Sequence, residues 1–171
     1  MRTKSTKRTR RAGALIAALT IAAFATACGP TPAPGPAASG CQGPGGPPDA
    51  TTSAIFGLTN ASRASAGLGP LSWDTQLWCL ASGWSKAMGD SNNMHHRDLA
   101  SVLATPGYGG YQTIGENVLV GPSNMGGGAM HSAWMNSPEH RANILSGAFS
   151  SFAVATYTVN GQVWATENFG G

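Results

Sequence analysis

The chain has 171 residues, 42% of them hydrophobic, with a formal net charge of +3 and a pI near 9.0. Six of its ten Lys and Arg fall within the first eleven residues. The remaining four (Arg63, Lys86, Arg97, Arg141) face all seven acids, so the chain beyond residue 28 carries a net charge of −3. The basic stripe of a nucleic-acid binder is therefore absent, and nucleic acid is excluded as an expected partner.

The first segment reads as an export signal. A basic start is followed by an uncharged run from Ala12 to Ala27, shorter than the ~20 apolar residues that span a bilayer. Ala25-Thr26-Ala27-Cys28 resembles the lipobox of bacterial lipoproteins, with Ala25 where Leu is usual. The expectation is a signal over residues 1–28, lipidation of Cys28, and a place on the outer face of the cytoplasmic membrane. The alternative is ordinary cleavage after Ala27. Residues 29–48 follow as a linker in which thirteen of twenty positions are Pro or Gly and none is charged. Such a composition cannot bury a core. Residues 49–171 then form one domain of ordinary size. With Cys28 set aside, Cys41 and Cys79 remain as an even pair in an oxidising compartment and are expected to form a disulfide.

Within the domain, residues 51–66 read as a helix stopped by Gly67. Residues 74–89 make a second helix with Asp74 as N-cap and Leu77, Leu80, Ala81, Trp84 and Met88 on one stripe. Cys79 lies off that stripe, free to meet Cys41. Residues 116–120 read as a strand ended by Gly121-Pro122. A helix near 124–136 presents Met130, Ala133 and Trp134. Ser137-Pro138-Glu139-His140 then reads as a new helix start, with Ser as N-cap and Pro at the first helical position. Residues 151–159 and 162–169 are strands joined at Asn160-Gly161, a dipeptide that tolerates φ > 0. Helices followed by an antiparallel hairpin indicate an α+β layered domain.

The four histidines (His95, His96, His131, His140) lie between residues 95 and 140, with Glu116 among them. This is the chain's one clustering of groups that titrate near neutrality or bind metals. No H-E-x-x-H, G-x-S-x-G or P-loop is present. His95 and His96 are neighbours, so in an extended segment they point to opposite faces. His131 has no motif around it and reads as a hydrogen-bonding residue beside the Trp134 stripe.

Four segments, in order, resemble the CAP superfamily, which joins cysteine-rich secretory proteins, venom allergens and plant pathogenesis-related proteins. They are LTNASRASAGLGPLSWDTQL, MHHRDL, GENVLVG, and AWMNSPEHRANIL followed by a hairpin ending NFG. The likeness runs from about Leu58 to Phe169 and is nearest to the short bacterial branch of SCP-domain proteins. It implies a three-layer α-β-α sandwich around an antiparallel sheet, with histidines and glutamates converging in a surface cleft. Carried over by motif, the cleft residues are His96, Glu116 and His140, with His95 and Glu139 adjacent. The first three could ligate a divalent metal such as Zn²⁺ with an open position. Glu116 could equally staple the two histidine segments together. Three functions stay open on this reading. The first is a monomeric, non-enzymatic envelope module binding lipid or a wall ligand. The others are a metal-dependent hydrolase of envelope material and a structural or adhesive protein.

Overall fold

The computed structural model describes residues 41–105, 107–108 and 110–171. The signal segment, Cys28 and the first part of the linker lie outside the described residues.

Asp49 opens α1 (Ala50–Ser65) through a capping box: its side chain accepts from Thr52 N, and the Thr52 hydroxyl answers to the cap backbone. The helix ends before Gly67, whose φ of +74° reverses the chain. A two-residue strand, β1 (Ser72–Trp73), leads into α2 (Thr75–Ser91). Asp74 caps α2 by accepting from Gln76 N and Leu77 N. The helix runs two residues past the expected end and stops at Asn92 in the left-handed conformation. A short α3 (Leu99–Leu103), capped by Asp98, precedes β2 (Ile114–Pro122). Then come α4 (Gly127–Asn136), α5 (Pro138–Ile144), β3 (Ser151–Val159) and β4 (Gln162–Gly170). The Asn160-Gly161 turn takes positive φ at both residues, as its composition requires.

The sheet order is β1-β3-β4-β2, with β2 at an edge. The β2–β4 and β3–β4 pairs are antiparallel, while β1 pairs parallel with β3. The sheet is therefore mixed rather than wholly antiparallel. The parallel member is a two-residue strand, too short to show a period in the sequence.

Alternation along the strands sends residues to two helical layers. On one face Phe152, Val154, Val163, Ala165 and Phe169 pack with Ile55, Met130, Trp134 and Ile144 of α1, α4 and α5. On the other, Val118 and Trp164 meet Met88 of α2. Ser85 fastens α2 to that face through hydrogen bonds of its hydroxyl with Thr166 Oγ1 (2.8 Å) and with the Ala155 carbonyl (3.1 Å). Gly89 permits the approach, since a Cβ there would stand 2.6 Å from the Tyr157 ring. This is the expected α-β-α layering. Ala133, expected on the buried stripe of its helix, is exposed; His131 is buried in its stead.

Cys41 and Cys79 form the expected disulfide. Residues 41–48 are further held by the Pro44 carbonyl, which accepts from Trp73 Nε1 (2.9 Å) and the Thr75 hydroxyl (3.2 Å). The end of the Pro/Gly-rich segment thus lies against β1 and α2.

Candidate functional site

The candidate residues gather around the edge strand β2. Glu116 and Asn117 are consecutive, so their side chains leave opposite faces of the sheet. Each one grips a different histidine segment.

On the α2 side, the Glu116 side chain is fully buried. Its Oε1 accepts from His96 Nδ1 (3.1 Å) and from Arg97 N (3.0 Å). Its Oε2 accepts from Asn168 Nδ2 at 3.4 Å. A carboxylate can only accept, so Nδ1 of His96 carries the proton and Nε2 presents the lone pair in the neutral ring. The His96 side chain is 57% exposed, so that nitrogen is within reach of solvent. Arg97 turns the other way: its guanidinium lies 4.6 Å from the Trp84 ring and donates to the Leu80 carbonyl. Burial draws its pKa down, with Glu116 opposing.

On the far side, Asn117 Nδ2 donates to the His140 carbonyl (3.1 Å) and to Glu167 Oε2 (2.9 Å). Asn117 Oδ1 accepts from Asn143 Nδ2 (2.8 Å), which also donates to the Glu116 carbonyl. This network fixes α5, whose first turn carries His140 behind Ser137 and Pro138. Ser137 takes the N-cap position, although its hydroxyl makes no capping bond. The His140 ring comes within 6.4 Å of His96, centroid to centroid. Burial lowers the His140 pKa, repulsion from His96 adds to this, and Glu139 works against it. The balance favours the neutral ring.

His96, Glu116 and His140 are thus neighbours, but Glu116 holds only His96 directly. Asn117, absent from the sequence-based set, is the link to His140. His95 faces α2 instead, edge-on to Trp84 at 4.8 Å, and its carbonyl accepts from Trp84 Nε1. Glu139 is exposed on the first turn of α5. His131 is buried between Thr59 and Ser62, at 3.4 and 2.9 Å, which is the hydrogen-bonding role its context suggested.

Zinc is the metal that the sequence likeness implies, and the donors fit it poorly. Among the described residues no three His, Cys, Asp or Glu groups converge on one point. Both Glu116 oxygens are engaged inside the fold, which leaves two imidazoles, half of a tetrahedral set. Among the described residues no Ser or Cys bonds to either ring, so no nucleophile–base pair is formed at this pair.

A separate cavity of about 380 Å³ lies on the α4–α5 side, lined by Met135, Asn136, Pro138, Arg141, Ala142 and Leu145. It does not include the histidine pair. The imidazoles are the chemically distinctive feature.

The cysteine-rich secretory protein family, CAP, matches residues 56–169. The uncharacterized protein YkwD of Bacillus subtilis is 33% identical over 127 residues, covering 68% of this chain and 46% of YkwD. An extracellular SCP-domain protein of Bacillus anthracis is 34% identical with a TM-score of 0.60, over 70% of this chain and 40% of the other. The match thus spans less than half the length of either relative. An outer surface protein of Borrelia burgdorferi shares the fold at 15% identity and a TM-score of 0.61, over 68% of this chain and 88% of its own. Among the described residues no helix is long and apolar enough to cross a membrane.

Proposed function

The chain belongs to the cysteine-rich secretory protein (CAP) family, and from that premise we propose that it is an exported, non-enzymatic binding module, tethered through a lipid on Cys28. Its working face is the His96–His140 pair at the edge of β2. One observation carries the reading: Glu116 is buried and turned to structural use, while His96 stays open to solvent. The site offers two imidazoles and no preset nucleophile or three-ligand metal centre. That suits recognition better than turnover.

The neighbouring cavity supports a lipid among the candidate ligands. Its lining combines Met135, Pro138, Ala142 and Leu145 with a single cation, Arg141. Apolar walls with one positive group match an amphiphile with an anionic head.

The test is native mass spectrometry of the exported chain for co-purifying lipid, with calorimetric titration of Zn²⁺ alone. Lipid retained by the wild type and lost in His96→Ala supports the reading; lipid lost only in Arg141→Ala would move the working face to the cavity. Stoichiometric Zn²⁺ lost in His96→Ala, together with hydrolysis of an ester substrate, would replace it with a metal-dependent hydrolase. Neither ligand, with lowered melting temperature in both variants, would leave a structural envelope protein.

A further inference from the structure

Behind Asn117 stands Glu167, a carboxyl that the cleft does not use directly. It lies in β4 opposite Asn117 and is fully buried. Its Oε2 accepts from Asn117 Nδ2, and its Oε1 has no hydrogen-bond partner. Asn117 has no freedom left: both amide hydrogens and the carbonyl oxygen are committed, to Glu167, His140 and Asn143. Removing the Glu167 contact leaves one buried amide hydrogen unpaired and only the two α5 contacts to hold the side chain.

We propose that Glu167 is a positioning residue for His140, fixing Asn117 from inside the core and so setting where the first turn of α5 stands relative to His96. The assignment rests on the imidazole pair being the working face, but the geometry it predicts is measured without a ligand. His96 is held by Glu116 through a different set of bonds, so the two rings respond separately.

The surroundings of Glu167 explain why it has no cation. From α1 comes Thr59, bonded in turn to His131 of α4. From β2 comes Asn117, with Asn143 and the His140 carbonyl of α5 behind it. From β3 comes Val154 in register. Arg63, one turn further along α1, directs its donors to four backbone carbonyls. Burial pushes the Glu167 carboxyl up to about 8, against the opposing pull of the Asn117 hydrogen bond. Burial thus favours the neutral acid, for which an amide is the nearest replacement.

The experiment is NMR of the histidine rings and side-chain amides in the folded full chain, wild type against Glu167→Ala and Glu167→Gln. Glu167→Ala is expected to move the His140 ring and the Asn117 amide while His96 stays in place, and Glu167→Gln to restore both. His96 and His140 shifting together, or Glu167→Gln failing like Glu167→Ala, would overturn the proposal. Should Glu167→Ala not fold, Glu167→Met, which keeps the bulk and lacks the acceptor, is read in its place with the same expected and overturning results. Lipid or Zn²⁺ binding enters none of these readouts, so failure of the binding reading is seen separately.

Discussion

Arg63 gives the sharpest stability test. It is 2% exposed on the last turn of α1. Its Nε donates to the Gly69 carbonyl (2.9 Å), Nη1 to Ile144 (2.9 Å) and Ser146 (2.8 Å), and Nη2 to Phe149 (3.3 Å). Among the described residues it has no carboxylate partner; its role is to tie the loops after α1 and α5 to the helix. Arg63→Met keeps much of the aliphatic bulk and removes all four bonds. Gly69 and Ser146 lie in partly buried bonds where water can replace the donor, but the Ile144 and Phe149 bonds are buried. An orphaned buried carbonyl costs ~1–3 kcal/mol. Relief of guanidinium burial, visible in its lowered pKa, offsets part of that. The net expectation is a loss of about 3 kcal/mol, or roughly a 10 °C fall in melting temperature for a domain of this size. Arg63→Lys keeps a charge without the planar fork and should fall between the two. Urea and thermal melts followed by circular dichroism measure both. A Met variant within about 0.5 kcal/mol of the wild type would refute the reasoning, because the carbonyls would then be satisfied without Arg63.

Three further outcomes are expected. Glu116→Ala strips an acceptor from His96, Arg97 N and Asn168 and should cost about 2–3 kcal/mol; a thermal melt matching the wild type would contradict this. Breaking the Cys41–Cys79 bridge, 38 residues apart in sequence, should cost about 4 kcal/mol in the chain-entropy limit. Comparing urea midpoints with and without reductant checks it, and thiol labelling of the non-reduced domain should find nothing. Burial lowers the pKa of His131 below its ordinary 6.5, so the unfolded chain takes up the proton first. The stability from its neutral form is present above pH ~6.5 and lost as pH falls toward the folded value. Unfolding free energy should therefore decline from pH 7 to 5, and His131→Gln should remove part of that slope; an unchanged slope would count against it.

The elements that could be read in advance were those written locally. Asp74 as a cap, Ser137-Pro138 as a helix start and Asn160-Gly161 as a turn each act within a few residues and stand at the expected positions, although α5 starts on Pro138 without a capping bond from the Ser137 hydroxyl. β1 and α3 were missed because two and five residues are too few to show a period. Glu116 and His96 could be found, because a carboxylate and an imidazole announce their chemistry by type. Asn117, Arg63 and Glu167 could not. Arg63 counted only as a basic residue, and Glu167 as one more position in an alternating strand. Their roles arise from partners 23 to 83 residues away across the sheet and helices. No local pattern encodes such a contact.

The disulfide also sets a load path. Cys41 precedes α1 in the chain, and its bridge lands on α2, in the layer opposite α1. Tension arriving through the preceding residues passes by a covalent bond into a 17-residue helix backed by the sheet. The capping box of α1, where peeling would otherwise begin one hydrogen bond at a time, takes only part of it. A pull on the chain before Cys41 would therefore reach α2 through the bridge as well as α1 through the backbone.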